Sequence, residues 1–177
     1  MKKVLAVLVV SGLAVAVSNA DVLSIDLTGW QADGGYGAAG NTGQYYALGA
    51  GTQIVNVWYT DLVFTAQGFS WRSELVLSVN DDLLAPSFWD YNPGDGIDSP
   101  GVFGPASGVF PIPGLFSSGP FTMVNPNLFV TVYDTLNDAG IDATVSQGML
   151  YVEYIPIPEP ASLALLGLGL VGLVRRR

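Results

Sequence analysis

The residues of this chain that could do chemistry are almost all carboxylates. Fifteen Asp and Glu stand against six Lys and Arg, with no histidine and no cysteine. Without those two, the usual zinc sites, Ser-His triads, Cys-His dyads and haem ligation are unavailable. Two acidic clusters are candidates for holding a cation. In the first, Asp90, Asn92, Asp95 and Asp98 lie beside Trp89 and Tyr91. In the second, Asp134, Asn137, Asp138 and Asp142 surround Gly140. Carboxylate and carboxamide oxygens are hard ligands of the kind Ca²⁺ takes, although neither spacing is that of an EF-hand. Asp95 comes one place late in the first cluster, and Leu136 and Ala139 interrupt the second. The competing reading of each is a solvated turn whose Asp and Asn cap their own backbone.

Trp89 and Tyr91 are candidates for stacking on a sugar, since aromatic rings offer an apolar face beside polar ligands. Their competing role is to cover the edge of the core. A third group is Trp71, Arg72 and Glu74, where Arg72 is expected to pair with a carboxylate. Two carboxylates can run glycoside hydrolysis, but no motif singles out a pair here. The expectation is therefore a protein without enzymatic activity, a secreted glycan hydrolase being the alternative.

The two ends explain most of the remaining charge. Lys2 and Lys3 precede a 14-residue apolar stretch, Val4 to Val17, and Ser18-Asn19-Ala20 supplies the small residues that a signal peptidase reads. Cleavage is expected after Ala20, and the absence of cysteine excludes a lipoprotein signal. At the other end, Pro158-Glu159-Pro160 precedes a 14-residue apolar run, Ala161 to Val174, closed by Arg175, Arg176 and Arg177. Such a run spans roughly 21 Å as a helix, against a bilayer core of about 30 Å, so it is a marginal span. The arginines should stay cytoplasmic, and the prolines keep the helix from extending upstream. Gly167-Leu168-Gly169-Leu170-Val171-Gly172 matches a dinucleotide fingerprint, but the chain ends five residues later, without the acidic residue that fingerprint needs.

This order of elbow, apolar run and arginine cluster resembles the PEP-CTERM sorting signal of certain Gram-negative bacteria. The resemblance implies recognition and removal of the tail by exosortase, and delivery of the body to the cell surface or an exopolysaccharide matrix. The alternative is a plain C-terminal membrane anchor. The expected organisation is a signal peptide over 1–20, a body over 21–155 and a sorting tail over 156–177.

Between Asp21 and Ile157 only Arg72 opposes fourteen acids, a net charge of −13. Such a body repels nucleic acid, whose binding rests on Lys and Arg contacts to phosphate, and it avoids anionic membrane surfaces. It favours cations and a hydrated matrix. The body has no lysine, which removes Schiff-base chemistry and Walker-type phosphate binding.

The elements that must position these residues read as strands. Alternating or β-rich runs predict strands over 22–28, 44–48, 53–60, 62–66, 74–79, 128–133 and 148–155. Residues 30–43 read as a long Gly-rich loop. Between Asn80 and Pro120 the alternation fails, and seven of the eleven prolines fall there; short strands are expected near 102–103 and 109–110. The fold class is all-β, an antiparallel, jelly-roll-like sandwich, flanked by an N-terminal signal helix and a C-terminal membrane helix. The run from Trp71 through Leu128-Phe129-Val130-Thr131-Val132-Tyr133 to Gly148-Met149-Leu150-Tyr151-Val152 is similar to the P-domain jelly rolls, often grouped with galactose-binding-like sandwiches. Pro126-Asn127-Leu128 departs from the Gly-Thr-Trp usual there. The implied role is structural or adhesive in an exopolysaccharide matrix, with a Ca²⁺-dependent carbohydrate-binding module as the alternative.

Overall fold

The computed structural model describes residues 19–81, 89–110, 121–136 and 140–157. The expected signal segment as far as Ser18, the tail from Pro158 onward, Asn137 and Asp138 lie outside them. Among the described residues every regular element is a strand: β1 (Asp21–Asp26), β2 (Gln31–Ala32), β3 (Gly43–Ala47), β4 (Gln53–Ala66), β5 (Leu75–Asn80), β6 (Trp89–Tyr91), β7 (Gly101–Val109), β8 (Phe121–Thr122), β9 (Asn127–Asp134) and β10 (Ala143–Ile155).

Two antiparallel sheets pack as a sandwich. The first has the order β1-β10-β4-β7, with β2 added to β10 and β8 to β4. The second has the order β3-β9-β5-β6. Leaving out the two-residue strands β2 and β8, the first of the eight remaining strands pairs with the eighth, the second with the seventh, the third with the sixth and the fourth with the fifth. These strands, between Asp21 and Ile155, thus pair as one long antiparallel hairpin rolled onto itself.

Alternation explains most of this. On β4, Ile54, Val57, Tyr59, Leu62 and Phe64 turn inward and are all at most 3% exposed. They meet Leu75, Leu77 and Val79 of β5, Leu128, Val130 and Val132 of β9, and Leu150 and Val152 of β10 in one core. Burying each such aliphatic or Phe side chain is worth about 1.5–3 kcal/mol.

Several expectations are corrected. Two strands were expected over 53–66, but β4 is continuous. The change of side occurs at an irregularity between Tyr59 and Leu62, where Asp61 takes φ 53° and its N–H is accepted by Ser107 Oγ at 3.1 Å. Strand β10 begins at Ala143, five residues before Gly148. Gly148 sits at a register shift inside the strand, where a Cβ would lie 2.9 Å from Leu62 Cδ1 and 3.1 Å from Leu62 Cα. The absence of a side chain there reflects close approach of β4. The expected loop over 30–43 carries β2, and the proline-rich region carries β6 and a nine-residue β7.

The outer face of the second sheet is covered. Ser78, Asn80 and Thr131 lie on it and are at most 2% exposed. Tyr36, from the segment between β2 and β3, lies edge-on to Phe129 and Tyr133 and accepts a 3.3 Å hydrogen bond from Asn80 Nδ2. The outer face of the first sheet is different. Val22, Ser24 and Asp26 of β1 are exposed there, as is Val109 of β7.

Candidate functional site

The first acidic cluster is spread along a loop that is bound to its neighbour. Asp90 lies on β6 and accepts a hydrogen bond from the Tyr133 hydroxyl at 3.0 Å. Asn92 donates through Nδ2 to the Ser73 carbonyl at 2.8 Å, and Ser73 Oγ donates to Asp98 Oδ1 at 2.9 Å. Asp95 closes a turn through its N–H on the Asn92 carbonyl, and its side chain is exposed. The Asp98 carboxylate and the Asn92 amide thus tie the 92–98 loop to the turn between β4 and β5. Gly94 permits this contact, since a Cβ there would lie 2.2 Å from the Arg72 carbonyl oxygen.

Arg72 corrects its expectation. Its guanidinium meets no carboxylate among the described residues. Nε donates to the Ser99 carbonyl at 3.1 Å, Nη1 to the Val102 carbonyl at 3.0 Å, and Nη2 to Ser99 Oγ. The body's one cation holds a loop to the start of β7, because a guanidinium has five donors in a fixed fork that can satisfy several carbonyls at once. Glu74, 6% exposed, instead accepts the Trp71 N–H at 2.7 Å, while its own N–H reaches the Trp71 carbonyl at 3.1 Å.

In the second cluster, Asp134 is fully buried and accepts the Leu136 N–H through Oδ1 at 2.8 Å. Asp142, 2% exposed, accepts Ser70 Oγ–H through Oδ1 at 3.1 Å. Asp81, outside both clusters, follows the same pattern and accepts the Val124 N–H at 2.8 Å. Among the described residues no three acidic side chains gather as a group that could hold a metal ion.

Trp89 is also corrected. It is 4% exposed and part of the core, so it offers no ring face to a sugar. Tyr91 is half-buried, with its ring 5.2 Å from Phe110 and 5.8 Å from Tyr59. The run Trp89-Asp90-Tyr91 is a strand with its first residue turned inward, too short for alternation to announce it.

A different aromatic pair reaches the surface. Trp58 of β4 and Tyr151 of β10 are direct cross-strand partners, with ring centroids 5.2 Å apart and planes 12° from parallel. Both occupy outward positions, which the alternation of Val57 and Tyr59, and of Leu150 and Val152, could have indicated. Their juxtaposition depends on register and was not legible. Farther along the chain, Phe69 is 87% exposed and Trp71 43% exposed on the turn after β4, on either side of the fully buried Ser70.

The comparison with known families bears on the tail. Residues 156–177 match the PEP-CTERM protein-sorting motif. The motif implies an exported protein processed by an exosortase. No curated protein and no solved structure matches the chain, so the likeness to P-domain jelly rolls finds no counterpart there.

Proposed function

We propose that this is a surface or extracellular-matrix protein of a Gram-negative bacterium, whose sandwich body has a structural or adhesive role in an exopolysaccharide matrix and performs no catalysis. The observation that carries the reading is the join between body and tail. The last ladder pair, Ile155 with Gln53, closes the sandwich, and the sorting motif begins at Pro156. The tail follows the body without a linker, so the body is the cargo that the sorting signal delivers.

The body's chemistry supports a passive role. Glu74, Asp81, Asp90, Asp98, Asp134 and Asp142 each accept a hydrogen bond from the backbone or a hydroxyl. Acids used to build loops are poor candidates for a tuned acid–base pair, which weighs against a hydrolase. We read the winding as a jelly roll, supported by the outermost-to-innermost pairing of its eight longer strands. A net charge of −13 over Asp21 to Ile157 keeps such a body soluble in a hydrated matrix.

Fractionation of the host tests this. Wild-type protein should be found, without its tail, at the surface or in the matrix. Glu159→Ala should leave it in the membrane fraction with the tail attached. Equal distribution and processing of both proteins would reduce the tail to a passive anchor.

A further inference from the structure

On the outer face of the first sheet, Val22, Ser24, Asp26 and Val109 at the edges are exposed and Asn56, Trp58, Tyr151 and Glu153 at the centre are half-buried. The central row of this face runs straight across four strands: Ser24 on β1, Tyr151 on β10, Trp58 on β4 and Val109 on β7 are successive register partners. The adjacent row is Val22, Glu153 and Asn56, and the row on the other side is Asp26, Met149 and Thr60. The face therefore has two stacked rings at its centre and a carboxylate and a carboxamide side by side next to them. Among the described residues, Trp58 Nε1, the Tyr151 hydroxyl, the Asn56 amide and the Glu153 carboxylate make no hydrogen bond to the protein. Glu74, Asp81, Asp98, Asp134 and Asp142 brace loops elsewhere in the body; among the described residues these polar groups brace nothing. Ser24, exposed beside Tyr151, is the small member of its row.

We propose that this face binds a neutral polysaccharide. A pyranose has an apolar C–H face and a rim of hydroxyls. The first matches an aromatic ring, and the second matches planar acceptors and donors such as Glu153 and Asn56. Charge decides which class of glycan. Asp26 and Glu153 lie on the face, and Arg72, the body's one cation, is spent on the Ser99 and Val102 carbonyls. An anionic glycan or an anionic bilayer would meet like charge with no cation to offset it. The site rests on the central strands β4 and β10, so binding would need little rearrangement. The inference deepens the matrix reading by naming the substrate class and the residues that would hold it.

The test uses the full-length chain in mild detergent, run through native gels containing a soluble neutral glycan (dextran, galactomannan or xyloglucan) or an anionic one (alginate or hyaluronan). At least one neutral glycan should retard migration, and the anionic ones should not. Trp58→Ala and Tyr151→Ala should each weaken retardation roughly tenfold or more, the loss expected for a central aromatic anchor. If either variant fails to melt cooperatively, the double variant Asn56→Ala/Glu153→Ala carries the test, because neither side chain has a hydrogen-bond partner among the described residues. It should weaken retardation several-fold without lowering the melting temperature. No retardation by any neutral glycan, retardation indifferent to these variants, or retardation by the anionic glycans alone would each overturn the proposal. So would a concentration-dependent mass abolished by Trp58→Ala in the absence of a glycan shift, which would make the face a contact between two copies. Failure here with normal delivery to the matrix would leave the sorting reading intact. Glycan retardation by a protein that never leaves the membrane would do the reverse.

Discussion

The hydroxyl of Tyr133 on β9 donates to the carboxylate of Asp90 on β6, 3.0 Å away and across the intervening strand β5. It ties the edge strand β6, three residues long, to the middle of its sheet. Tyr133→Phe should therefore cost about 1–2 kcal/mol, since it leaves a partly buried carboxylate without its donor. Among the described residues Asp90 Oδ1 is buried without a partner, and Oδ2 holds the side chain's one hydrogen bond. Urea unfolding at neutral pH checks this.

The same bond sets an alkaline limit. Burial first, then the negative charge of Asp90, push the Tyr133 phenol far above the ordinary tyrosine range. Tyr59 is raised too, by burial and then by its hydrogen bond with Tyr91. A group raised on folding contributes stability that is complete below its unfolded pKa, about 10 for tyrosine, and lost as pH rises through the folded value. Unfolding free energy should fall above that range, and Tyr133→Phe should flatten the fall. Ultraviolet titration should show Tyr59 and Tyr133 ionising last, together with unfolding. At the acid end, hydrogen bonds from Thr28 lower the Asp26 pKa. Its contribution should be present above the unfolded carboxylate range and lost as pH falls through the folded value.

Much of this fold was legible. Alternation placed β1, β3, β5 and β9 to within two residues. What it missed depends on partners distant in sequence. For Trp89 the sugar-stacking and core-covering roles stayed open because a three-residue strand has no period to read. Arg72 looked like half of an ion pair because carbonyls leave no mark in a sequence, and its acceptors lie 27 and 30 residues away. The acidic clusters suggested a cation because spacing along the chain does not reveal which oxygens the backbone already occupies.

Calcium should therefore leave stability unchanged. The ligand candidates Asn92 and Asp98 are bonded to Ser73, and a cation would have to displace those contacts. Thermal melts with Ca²⁺ and with EDTA should coincide. A midpoint raised by calcium would reveal a site, because a ligand bound only by the folded state stabilises it by mass action.

The turn after β4 should separate display from support. Phe69→Ser should change stability by less than about 0.5 kcal/mol, because the side chain is almost wholly exposed. Ser70→Ala should cost about 1–2 kcal/mol by removing the buried hydrogen bond to Asp142. Gly94→Ala should cost about 1–3 kcal/mol, since the new methyl group would meet the Arg72 backbone and force the loops apart. Guanidinium melts of the three variants rank them directly.

The central claim is that the tail is a sorting signal attached to a folded body, and the intact mass of the protein released to the surface or medium tests it most directly. The expected mass corresponds to a chain that begins at Asp21 and ends within the Pro158 region, lacking the apolar run and all three terminal arginines. A mass that still includes Arg177 would contradict the account.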